Sequence, residues 1–224
     1  MINDIIIRHF KKKDKKQIAA IHREAFRHAL GEENYQTYFK EDLDRVLEDG
    51  NLVIAEHEKR VVGFAEYIRL GDSQYERETL EKWLGWVNQP HFANYSTEAL
   101  AIHRAEFEKA FQEQRKQLGH GDVVAIVHEN SLTQNLITIT DNDFYFKELA
   151  VTEKYRRQGI GTKLVTERIN IAREKEASLI LVNCLIGGDG AKVYNQHKLG
   201  FLPIIEGSPV FDNGAGIRVY GKKL

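Results

Sequence analysis

Gly159 and Gly161 stand between a strand-like run and a helical pattern, directly after the basic pair Arg156-Arg157. Positions without a side chain let backbone amides turn toward an anion. The helix opening at Ile160 adds unpaired N–H groups and the positive end of its dipole. The chemistry implied by Arg156-Arg157-Gln158-Gly159-Ile160-Gly161-Thr162 is the binding of a phosphate or pyrophosphate. A dinucleotide site would place three glycines directly after the strand and an acid at the end of the next one. Here the first glycine follows Val151 by several residues, and the next strand ends in Asn183-Cys184. A nucleoside-triphosphate loop would need glycine-lysine-serine or -threonine, which Gly161-Thr162-Lys163 does not supply. A glycine-softened helix start that binds nothing is the competing reading.

The remaining reactive side chains are sparse. Cys184 is the single cysteine, set in the apolar run Leu179–Ile186, so it forms no intramolecular disulfide and reads as a buried filler. The nine histidines show no metal spacing: His22 and His28 are six apart, and His9, His57, His91 and His103 are isolated. No metal is expected.

The elements that would position the loop follow from periodicity. Ile5–Phe10 reads as a strand, and Lys11–Lys16 as a solvated loop whose Asp14 caps a helix with Gln17 as box partner. Ile18, Ile21, Ala25, Phe26 and Ala29 carry that helix to Gly31, and a second helix spans about Glu33 to Glu48. Leu52–His57 and Arg60–Ile68 form a hairpin around Glu58-Lys59. The stretch 71–141 differs in character, with a helix around Trp83 and Trp86 and a longer amphipathic one from about Ser96 to Leu118. Val123–Val127 fits either a short helix or a strand. Phe144–Val151 is a strand, and from Ile160 the residues Leu164, Val165, Arg168, Ile169 and Ala172 keep helical spacing to about Glu176. Leu179–Ile186 is a buried strand, Ala191–Lys198 a short helix, and Phe201–Ile205 with Ile217–Tyr220 a closing antiparallel pair.

The 224 residues suffice for one substantial domain, and 42% hydrophobic residues can fill its core. With 32 basic and 33 acidic side chains the net charge is -1, so no global field draws the chain to nucleic acid or an anionic membrane. No apolar run approaches the ~20 residues that span a bilayer, and no cleavable-signal layout opens the chain. The expectation is a soluble, cytoplasmic protein without nucleic-acid or membrane partners.

The stretch Leu149-Ala150-Val151-Thr152-Glu153-Lys154-Tyr155-Arg156-Arg157-Gln158-Gly159-Ile160-Gly161-Thr162-Lys163-Leu164 resembles the central motif of the GNAT superfamily of acyl-CoA N-acyltransferases. The strong match covers roughly Phe144 to Phe201, including Leu199-Gly200-Phe201. The resemblance implies one α/β (α+β mixed) domain over residues 1–224, a three-layer fold with a mixed, mostly antiparallel sheet flanked by helices. Its third strand would pass directly to the fourth, so 71–141 becomes a helical insertion. It implies acetyl-CoA as co-substrate: the backbone of Leu149, Ala150 and Val151 pairing with the pantetheine arm like an added strand, and the amides from Arg156 to Gly161, with Thr162 next to them, holding the pyrophosphate. Asn183 would contact cofactor or acceptor near the gap where two strands diverge.

The implied activity is transfer of an acetyl group to a primary amine of a small molecule or peptide, in a ternary complex. A thiol of pKa near ~8.5 leaves fairly well, so positioning outweighs acid help. The family often supplies an acid as tyrosine four residues before the Gly-Phe glycine, a position held here by Gln196. Tyr194, two residues earlier, is the candidate acid if the short helix is shifted. Glu148 is the candidate general base, with Glu66 second. Period two puts Glu148 on one face with Phe146 and Ala150, the parity opposite to the family's base, and a bulge would reverse this. Phe26, His28, Tyr35 and Tyr38 straddle a turn that borders the acceptor pocket in the family. A homodimer is compatible with these features. The alternatives are a non-catalytic acyl-CoA-binding sensor and a helical interaction protein that uses the insertion's apolar stripe.

Overall fold

A computed structural model describes residues 4–30, 32, 35, 36, 40–76, 123–127, 134–138, 140–185, 189–194, 197–209 and 216–224. Strand β1 (Ile6–His9) leads through a 3-10 turn at Lys12–Asp14 into helix α1 (Lys15–Leu30). The cap expected at Asp14 takes a different form. Its buried carboxylate accepts the Lys11 amide at 2.8 Å and both terminal nitrogens of Arg8 at 2.7 and 2.9 Å. Gln17, the expected box partner, instead accepts the amide of Val61 at 3.0 Å. A buried carboxylate gains more from a bidentate arginine than from a lone helix amide. Burial alone would raise the Asp14 pKa, but Arg8 and the Lys11 N–H outweigh it and hold it below the usual range.

Helix α2 (Lys40–Asp49) precedes β2 (Leu52–His57) and β3 (Arg60–Glu66), which form the expected hairpin. Glu58 and Lys59 both take positive φ, 49° and 63°, the twist a two-residue hairpin turn requires. Two predicted strands are each broken. The third splits into β3 and β4 (Ile68–Arg69), and the fourth into β7 (Phe144–Phe146) and β8 (Leu149–Val151). The rest of the fold is α3 (Ile160–Glu174), β9 (Leu179–Leu185), α4 (Asp189–Tyr194), β10 (Leu202–Pro209) and β11 (Gly216–Lys223).

The breaks divide the sheet. One part has the order β1-β2-β3-β8 and the other β10-β11-β9-β7-β4. Only the β7–β9 pair is parallel, its last partners being Phe146 and Val182; the other described pairings are antiparallel. Past Phe146 the chain leaves β9 and joins β3, so a gap opens between β8 and the end of β9. The mixed, mostly antiparallel arrangement is the one expected.

Helices cover both faces. Ile18 and Ile21 of α1 with Leu43, Val46 and Leu47 of α2 pack on Leu52, Ile54, Phe64 and Ala150. Ile160, Leu164, Val165 and Ile169 of α3 pack on Val53, Ala55, Phe146 and Val182. Phe146 thus faces α3 whereas Ala150 faces α1, so side-chain parity reverses across Lys147-Glu148. The reversal is the effect expected of a bulge there.

Within 71–141, Val123–Val127 (β5) is a strand, paired antiparallel with Gln134–Thr138 (β6), which was not assigned from sequence. The helices expected around Trp83 and from Ser96 to Leu118 lie outside the described residues.

Candidate active site

Strand β8 is an edge strand, and its hydrogen bonds alternate. The Glu148 carbonyl accepts the Glu66 amide at 2.9 Å, and the Thr152 amide donates to Val62 O at 3.0 Å. By the antiparallel alternation, the polar groups of Ala150 also face β3, while those of Leu149 and Val151 face the gap. On that open side Val151 O accepts Arg156 Nε at 2.9 Å, which ties the following loop back to the strand end. Among the expected trio, Leu149 and Val151 therefore present backbone to the gap, and Ala150 belongs to β3. Gly63 makes this pairing close: a Cβ there would lie 2.9 Å from Ala150 O.

The glycine loop follows. Arg157 and Gly159 take positive φ, 60° and 78°, and Gly159 is the N-cap of α3 without a side-chain cap. The first intrahelical bond is Lys163 N to Gly159 O at 3.0 Å, so the amides of Ile160 and Gly161 come before the helix's own ladder. The two glycines serve different needs. Gly159 supplies the left-handed conformation, whereas a Cβ on Gly161 would sit 3.3 Å from Val193 of α4. Gln158 Nε2 donates to Lys154 O at 3.2 Å, which braces the turn.

On the α1 side of the break lies a buried polar group. Glu148 Oε1 is 3.0 Å from His22 Nε2, and His22 Nδ1 is 3.2 Å from the Tyr35 hydroxyl. His22 thus bridges the Glu148 carboxylate and the Tyr35 hydroxyl through its two ring nitrogens. Phe26 and Phe64 flank the ring at centroid distances of 4.7 and 6.2 Å. Glu148 Oε2 has no partner among the described residues. Glu66 is also buried, and burial first, then the nearby Glu148 charge, pushes its carboxyl well above the ordinary range. Glu76 receives Lys147 Nζ at 3.0 Å and also the Arg45 guanidinium.

On the α3 side, Tyr194 lies in the core at 2% exposure, edge-on to Phe201 and stacked on Tyr220. Its hydroxyl accepts Arg168 Nη2. Burial pushes the phenol up to about 12, against the opposing pull of the guanidinium. Cys184 is likewise pushed up to about 12 by burial, in keeping with an inert thiol. Asn183 Oδ1 accepts the Tyr145 hydroxyl at 2.7 Å, across the last parallel pairing. Gln196, His28's side chain and Tyr38 lie outside the described residues. Among the described residues no group of three potential ligands could hold a metal ion, and no helix is long and apolar enough to cross a membrane.

The divided sheet, the open edge of β8 and the start of α3 lie next to one another, a Cβ at Gly161 being 4.0 Å from Leu149 Cδ2. The family model described as Acetyltransferase (GNAT) family matches residues 15–201. The chain belongs to the GNAT acetyltransferase family. It is therefore an acyltransferase, with the mixed α/β fold of that family. No curated protein sequence matches it. Among solved structures it is similar to the ribosomal-protein-alanine N-acetyltransferase of Brucella melitensis, at 18% identity and a TM-score of 0.57, covering 98% of this chain and 99% of that one. An N-acetyltransferase of Staphylococcus aureus Mu50 aligns at 15% identity and a TM-score of 0.58, covering 99% of both chains. The Salmonella typhimurium protein yncA, solved with its cofactor acetyl-CoA, aligns at 13% identity and a TM-score of 0.56, covering 99% and 95%. At these identities the likeness is one of fold.

In this GNAT chain the sequence pointed to Tyr35 but missed His22 and Arg168 as parts of the site. His22 carried a signal in retrospect: it follows Ile18 by four and Ile21 by one, on the buried side of α1. Arg168 carried a sharper one, as a charged residue inside the apolar stripe of α3.

Proposed function

We propose that the chain transfers an acetyl group from acetyl-CoA to a primary amine by direct attack within a ternary complex. One observation carries the reading: the gap-facing backbone of Leu149 and Val151 is followed by the first-turn amides of Ile160 and Gly161, ahead of the helix's own ladder. A ligand with an amide-bearing arm and a pyrophosphate fits that order of groups. Leu149 and Val151 would hold the arm, and Gly159, Ile160, Gly161 and Thr162 the pyrophosphate, with Arg157 adding charge. Asn183 would line the gap from β9.

Acetyl-CoA supplies the thioester whose carbonyl carbon the neutral amine attacks, so that a C–N bond forms and the C–S bond breaks. Glu148 takes the amine proton, directly or through one water. His22 holds Oε1, which leaves Oε2 to receive that proton. Tyr194, protonated throughout the neutral range, gives a proton to the departing thiolate.

Thiol release from acetyl-CoA across a panel of amines and N-terminal peptides tests the reading. Release that requires an amine, with intersecting double-reciprocal lines, is the expected result. Parallel lines would instead indicate an acetylated enzyme, and would overturn direct attack.

A further inference from the structure

Arg168 is wholly buried in the middle of α3, yet it faces backbone rather than a carboxylate. Its Nη1 donates to Glu66 O at 2.7 Å and lies 3.4 Å from Glu148 O. Those carbonyls belong to the residues at which the two broken strands change from one half of the sheet to the other. Its Nη2 donates to the Tyr194 hydroxyl, and its guanidinium carbon sits 4.3 Å above the Phe146 ring. One planar group thus touches both strand breaks, the last paired residue of β7, and α4.

That geometry answers a local problem. Where the strands part, the Glu66 carbonyl lies beyond the β3–β8 ladder while the Glu148 carbonyl keeps the Glu66 amide, and a buried carbonyl without a donor is costly. A guanidinium offers several donors in a fixed fork and accepts nothing. It can therefore supply the donor to Glu66 O and, from the same fork, reach Glu148 O, which already holds the Glu66 amide. For the same reason Arg168 cannot accept the Tyr194 proton, which points away from it.

We propose that Arg168 is a positioning residue for acetyl transfer: it clamps the split sheet in the shape that receives the co-substrate and leaves the Tyr194 hydroxyl as a proton donor. The second half rests on the acetyl-transfer reading above; the first half does not. A hydrophobic residue of similar length would fill the space but neither hold the carbonyls nor orient the phenol. Lysine would keep the charge on a single point that cannot span three acceptors.

The test uses Arg168→Lys and Arg168→Met with two readouts that need no acceptor. Calorimetric titration gives acetyl-CoA affinity, and 19F NMR of 3-fluorotyrosine placed at 194 follows the phenol's ionisation. Both variants should bind acetyl-CoA about tenfold or more weakly. The tyrosine ionisation should move to higher pH, most in Arg168→Met, because a donor that favours the phenolate has gone. Where Arg168→Met fails to fold, Arg168→Lys carries the test. An unchanged value of either quantity in a folded variant overturns the proposal. If wild type binds acetyl-CoA but acetylates no amine, the acetyl-transfer reading fails while the clamp is still decided by the affinity.

Discussion

His22 Nε2 lies 3.0 Å from Glu148 Oε1, joining the first helix to the break between β7 and β8 across 126 residues of chain. The contact fixes one carboxylate oxygen, and the other has no partner among the described residues. Buried carboxylates with a satisfied and an unsatisfied oxygen are suited to accept a proton rather than to brace a fold.

Glu148→Gln removes the proton acceptor and keeps the shape. The turnover number should fall about 10²–10⁴-fold. Acetyl-CoA affinity should stay within a factor of about two, since the carboxylate faces α1 and not the glycine loop. A parallel loss of affinity would move Glu148 from proton transfer to cofactor support.

Glu66 offers a test of the buried cluster that needs no substrate. Its folded pKa lies well above the ordinary 4.5, because of burial and then the Glu148 charge. The folded state binds the proton more tightly than the unfolded chain, so its contribution is full below 4.5 and is lost as pH rises through the folded value. Glu66→Gln should therefore melt higher than wild type at neutral pH and show no gain at about pH 4. Melting curves across that window check it; a gain confined to low pH would contradict the assignment.

The loop glycines should separate. At Gly159 an added Cβ meets nothing within 4 Å, so Gly159→Ala suffers only from its φ of 78°. The cost should be about 1–2 kcal/mol in urea denaturation, and less for Gly159→Asn, which tolerates that conformation. Equal losses for alanine and asparagine would mean that contact, and not backbone, makes glycine necessary.

What the sequence revealed depended on how local the physics was. The glycine loop, the α3 pattern and the Glu58-Lys59 hairpin are set by neighbours a few residues apart, and all three could be read directly. The break at Lys147-Glu148 could be read only as an optional bulge, because the polar pair sits inside one strand-like run, Phe144–Val151, without Gly or Pro to mark it. Tertiary pairing with β9 on one side and β3 on the other creates it. The His22–Glu148 pair and the Arg168 clamp are also tertiary, each joining elements far apart in the chain. Asp14 was read as a cap because its partner Arg8 precedes the helix, on a strand that spacing rules do not connect to it.

Amide hydrogen exchange at β8, with and without acetyl-CoA, tests most directly whether this edge is the cofactor site. The Leu149 and Val151 amides, together with those of Ile160 and Gly161, should gain protection on binding, while the Ala150 amide, already directed at β3, should barely change. Saturable acetyl-CoA binding with no added protection at Leu149 or Val151 would contradict the assignment of the site to this strand edge.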